Sequence, residues 1–116
     1  MGTDATFIIQ ILNPGGNYIN PYPWAKIEMR RDHTLFELLA GIRSEDPTNA
    51  VIPIHKIEHP VVGEAYTASL SELALVEKCY QEKTGKSHLE LRAIIAALDA
   101  LSENDDRKAR VIYYYI

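Results

Sequence analysis

Apolar and polar positions follow two different periods along this chain, and the changes of period divide it into elements. Residues 6–12 (TFIIQIL) are dense in β-branched and aromatic side chains and stop at Asn13, Pro14, Gly15, Gly16 and Asn17, a strong turn signal. That pattern predicts a strand with both faces largely covered. From Trp24 to Arg30 the period is two, with Ala25, Ile27 and Met29 on one side and Trp24, Lys26, Glu28 and Arg30 on the other. This predicts a half-buried strand with a polar face, paired with the first through a long loop.

The period then becomes helical. Thr34 and Glu37 stand in a capping-box pattern ahead of Leu35, Leu38, Leu39 and Ile42. The same pattern recurs at Ser69 and Glu72 before Leu73, Val76 and Tyr80, with Gly85 placed to end the helix, and again at Ser87 and Glu90 before Leu91, Ile94, Ile95, Leu98 and Leu101. Three helices are predicted, each with its own start signal. Residues 110–116 (RVIYYYI) are strongly β-forming and apolar on both faces, which predicts a paired strand inside the sheet. Residues 44–68 carry Pro47, Pro53 and Pro60 among short apolar runs and read as extended segments or loop. The order ββα, long connection, ααβ fits an α+β fold: a mainly antiparallel sheet of three or more strands with three helices packed on one side.

A chain of 116 residues, 47% hydrophobic and 24% charged, is expected to fold as one domain spanning 1–116. Its formal charge of −4 argues against duplex nucleic acid and anionic membrane as partners, so an anionic ligand needs a local basic patch. No apolar run approaches the length of a membrane span and no signal peptide is visible, which sets the expectation of a cytoplasmic protein. Cys79 is the single cysteine and reads as a buried, inert thiol.

Candidate chemistry is sparse. His55 and His59 are four apart around Glu58, but Pro53 and Pro60 disfavour the helix that would bring them together, so exposed loop histidines are expected and no metal site. No nucleophile elbow, dinucleotide fingerprint or phosphate loop is present, and no catalytic residue or cofactor is assigned. The richer set is aromatic and basic: Tyr18, Tyr22, Trp24 and Lys26 lead into Arg30, Arg31 and His33, with Arg43 at the end of the following helix. Aromatic faces stack on bases and guanidinium groups grip phosphates, so these residues can form a nucleotide pocket. The plainer reading packs Tyr18 and Tyr22 under the loop, closes the core edge with Trp24 and leaves the charges solvated. Arg107, Lys108 and Arg110 form a second basic cluster that Glu103, Asp105 and Asp106 offset, which suits solubility.

The opening residues 1–6 (MGTDAT) together with 31–43 (RDHTLFELLAGIR) resemble a group of small tailed-phage proteins. Those begin Met-Gly-Cys-Asp-Ile-His and carry an Arg, an aromatic residue, Leu-Phe and then Leu-Ala-Gly-Val-Arg. Here Thr3 and Thr6 replace the Cys and His, and His33 stands where the aromatic residue is usual. The resemblance implies an accessory phage protein that acts against host defence. Joined to the aromatic and basic stretch, it gives the expectation of a non-enzymatic homo-oligomer that sequesters a nucleotide-like anionic small molecule, such as a cyclic oligonucleotide. The ligand-binding residues expected are Arg31, Arg43, Arg30, Lys26, Trp24, Tyr22 and His33. The alternative is a protein-interaction module that inhibits a host defence protein by direct binding.

Overall fold

The computed structural model describes residues 4–20, 26–30, 32–39, 50–60 and 63–115. The apolar segment at the start forms β1 (Ala5–Leu12), and the turn after it returns a two-residue strand, β2 (Tyr18–Ile19), which no periodicity announces. β3 (Lys26–Met29) follows and pairs antiparallel with β1 from Ala5↔Met29 to Ile8↔Lys26. Then come α1 (His33–Leu38), β4 (Lys56–His59), β5 (Gly63–Ala68), α2 (Leu70–Thr84), α3 (Leu89–Ser102) and β6 (Ala109–Tyr115). The fold is α+β, with an antiparallel sheet in the order β2-β1-β6-β5-β4 and β3 also joined to β1.

The tyrosine-rich strand β6 lies between β1 and β5, and this central place explains its apolar character on both faces. Alternation then sorts the side chains. Ala5, Phe7 and Ile9 of β1, Ile27 and Met29 of β3, and Val111, Tyr113 and Tyr115 of β6 face the helices, whose Leu35, Leu73, Val76, Leu91, Ile94 and Leu98 complete one hydrophobic cluster. Phe7 and Tyr113 stack at 5.3 Å between ring centroids, and Phe36 meets Tyr115 edge-on at 5.5 Å, so the aromatic residues add oriented contacts to the buried area. Thr6, Ile8 and Gln10, with Arg110, Ile112 and Tyr114 opposite them, belong to the other face of the sheet.

The connection read as extended segments or loop holds a β-hairpin. Pro53 precedes β4 and Pro60 lies in the turn before β5, so neither takes a ladder position that requires an N–H. Two helix starts also differ from the capping-box expectation. α1 begins earlier: Asp32 is its cap, with Oδ1 accepting from the Leu35 amide at 3.1 Å, because a carboxylate two residues upstream of Thr34 is the stronger acceptor. α3 is capped by His88, whose Nδ1 accepts from the Leu91 amide at 3.3 Å, while the Ser87 hydroxyl is taken by Gln81 Nε2 at 3.1 Å. α2 starts with the expected reciprocal box of Ser69 and Glu72 and ends at Gly85 in the left-handed region. The described part of α1 closes at Leu39, and Ile42 lies outside the described residues. Cys79 is half-buried against the core, less enclosed than its sequence context suggests.

Candidate anion-binding face of the sheet

Polar residues within apolar strands mark the face of the sheet turned away from the described helices. Gln10 is the one polar side chain of β1 beyond Thr6, and Arg110 stands opposite it on β6. The Arg110 guanidinium carbon lies 3.9 Å from the centroid of the Tyr18 ring on β2, and its Nε donates to Gln10 Oε1 at 2.9 Å. Gln10 Nε2 in turn donates to Asn20 Oδ1 at 2.8 Å, and the Tyr18 hydroxyl donates to the Arg107 carbonyl at 2.7 Å. Three strands and a loop thereby fix one arginine through a stacked ring and a chain of amides.

The electrostatics of that arginine are unusual for this surface. Burial lowers the Arg110 pKa, weakly opposed by the neighbouring Tyr18, and no carboxylate among the described residues pairs with it. Its neighbours in sequence behave differently. Arg107 pairs with Asp105 at 3.3 Å and Lys108 with Glu103 at 3.1 Å, both exposed, as expected of a solvated cluster. Asp105 is held below the usual carboxylate range by the Arg107 backbone and side chain, and Arg107 is raised in return. Arg110 therefore departs from the cluster it was grouped with: it is a half-buried cation with its terminal fork unengaged by described residues. A guanidinium in that state fits a phosphate or carboxylate with two parallel hydrogen bonds. The guanidinium fork supplies charge and hydrogen bonds while Tyr18 and Gln10 hold it in place, which suits capture of an anion.

Of the residues expected at a ligand site, Lys26 lies on this same face opposite Ile8, where it is exposed and pairs with Glu28 at 3.5 Å. Arg30 is exposed just beyond the end of β3. His33 opens α1, and its side chain lies outside the described set, as do Tyr22, Trp24, Arg31 and Arg43. Asn20 and Lys26, which bracket the segment containing Tyr22 and Trp24, both have partners on β1 at this face. Sequence reasoning did not select Arg110, Gln10 or Asn20. The available signal for Gln10 and Arg110 was a long polar side chain within each of two largely apolar strands.

The other titratable clusters have structural partners. His55 Nε2 meets Glu72 Oε2 at 3.1 Å and His59 contacts the Tyr114 ring at 6.4 Å between centroids, so the two histidines face different neighbours. Among the described residues no group of three His, Cys, Asp or Glu side chains is placed to hold a metal ion. Asp32 Oδ2 accepts from the Tyr80 hydroxyl at 2.9 Å and lies 3.5 Å from His88 Nε2. His88 is 8% exposed with Nδ1 occupied by the helix cap, so this node joins the starts of α1 and α3 to α2 and leaves no ring nitrogen for a substrate. Among the described residues no helix is long and apolar enough to cross a membrane. Comparison with protein-family models, curated proteins and solved structures yields no match.

Proposed function

We propose that this protein binds a nucleotide-like anionic molecule on the face of its sheet turned away from the described helices and sequesters it without cleavage, as a phage-borne countermeasure to a host signalling defence. The observation that carries this reading is Arg110, a half-buried guanidinium stacked on Tyr18, oriented by Gln10 and facing no carboxylate among the described residues. A cation that has lost part of its hydration without gaining a counter-ion binds an anion more strongly than a solvated lysine does. Lys26 on the same face is exposed and paired with Glu28, so Arg110 supplies the charge for binding. The phage setting comes from the resemblance carried by residues 1–6 and 31–43.

The test is a thermal-shift screen of the purified protein against cyclic di- and trinucleotides, cyclic ADP-ribose isomers and linear nucleotides, followed by recovery of the bound molecule after denaturation. A ligand present at about 100 times its Kd stabilises the fold by roughly 2.7 kcal/mol, a shift of several degrees. The expected result is a shift with at least one of these anions, its recovery chemically intact, and loss of the shift in Arg110→Gln. Absence of any shift, or recovery of a cleaved product, overturns the reading; in the first case a pull-down from host lysate tests direct inhibition of a defence protein.

A further inference from the structure

The outward side of the helical layer carries the exposed leucines of α2 and α3: Leu75 is 44% exposed and Leu89 is 76% exposed. α3 buries Leu91, Ile94, Leu98 and Ser102, and on its opposite side Leu89, Ala93, Ala96 and Ala100 are all exposed. Their spacing of four, three and four residues is the a/d spacing of a helix that pairs with another helix. What identifies the partner is charge. Arg92 and Asp99 are exposed, lie on one flank of this outward row and are one heptad apart.

Two helices that cross antiparallel about a two-fold axis bring the same flank of each copy together. With the axis passing near Ala96, Arg92 of one copy meets Asp99 of the other, and the pair occurs twice by symmetry. A parallel arrangement sets Arg92 against the flank of Glu90 and Ala97 out of register with any acid, so it gains no such pair. Arg92 Nε lies 3.8 Å from Glu77 on α2, which leaves the terminal nitrogens for a second carboxylate. Short alanine side chains between the charges allow close approach of the two backbones.

We infer that α3 is the centre of an antiparallel, two-fold contact with a second copy of this chain, with Leu89 at its rim and Arg92–Asp99 pairs fixing its register. Two helices of about 21 Å side by side present on the order of 400 Å² per copy, half the area of a standard interface, so the dimer forms reversibly with concentration. This contact lies on the helix side of the molecule, away from Arg110, and stands or falls independently of the ligand reading.

Sedimentation equilibrium over roughly 5 to 500 μM covers the range expected of such a contact. The wild-type mass should rise from 13.1 kDa toward twice that value. Arg92→Asp and Asp99→Arg each replace both cross-pairs with like charges and should weaken association about tenfold or more, while the double exchange restores opposite charges and returns association to within about threefold of wild type. Melting temperatures of all three variants verify that the exposed substitutions leave the fold intact. A wild type that stays monomeric throughout, single variants that associate as it does, or a double variant that fails to recover each overturns the proposal.

Discussion

The Thr6 hydroxyl is fully buried on β1 and has no hydrogen-bond partner among the described residues, a state that leaves a desolvated donor uncompensated. Replacing it with a β-branched isostere removes the cost without changing shape or strand preference, so Thr6→Val should stabilise the fold by about 1 kcal/mol, read as a higher midpoint in urea unfolding. An unchanged or lower midpoint would mean that the hydroxyl is satisfied. Arg110 shows the converse situation, a charge whose setting comes entirely from distant residues: its hydrogen-bond partner Gln10 is 100 positions away. Local sequence presents Arg110 beside Arg107 and Lys108 and after three acids, which is why it reads as solvated. Arg110→Lys keeps the charge but loses the planar fork and the stack on Tyr18, so it should weaken nucleotide binding by roughly tenfold or more in titration calorimetry. Equal affinity would assign the site a simple need for positive charge.

Elements were legible where periodicity ran long. β1, β6, α2 and α3 follow from residues whose spacing repeats through several turns or pleats, and both ends of α2 follow from Ser69, Glu72 and Gly85. The starts of α1 and α3 did not, because each offers competing acceptors within two residues and tertiary contacts choose between them. Asp32 is selected at α1 since its second oxygen also receives the Tyr80 hydroxyl from α2, and burial together with that bond raises the Tyr80 pKa. His88 is selected at α3 because it packs against the Tyr80 ring at 5.4 Å. Asp32→Ala therefore removes a cap and strands a phenol at once, and should destabilise the fold by about 2 kcal/mol, twice the usual loss for a cap alone. A cost no greater than that of Ser69→Ala would show that the node adds nothing beyond capping. The hairpin of β4 and β5 was hidden by its prolines, which fall just outside the ladder, and β2 by its length of two residues.

At the scale of the molecule, the helix-facing side of the sheet carries the core, and the proposed binding lies on the other side. The helix-facing side concentrates phenols: burial raises Tyr115 first of all, and burial with the Glu64 hydrogen bond raises Tyr66. These groups keep their protons above the ordinary phenol value of 10.0, so the folded chain there binds more protons than the unfolded one. Their contribution to stability is complete below that pH and is lost as pH rises through the folded values. Alkaline titration should accordingly show tyrosinate absorbance from these phenols arriving together with loss of ellipticity; complete ionisation with the fold retained would contradict the packing of Tyr115 against the core. The opposite face was the less legible one, since its site is assembled from β1, β2 and β6, and only pairing reveals that Tyr18, Gln10 and Arg110 converge. The most direct test of the account is a two-dimensional NMR titration of labelled protein with cyclic di-AMP and the other nucleotides of the screen, following backbone amides and the Arg110 Nε–H. The expected shifts centre on Tyr18, Asn20, Gln10 and Arg110 and leave the core of α2 and α3 unmoved. Shifts centred on the helices, or none with any nucleotide, would contradict the proposed binding.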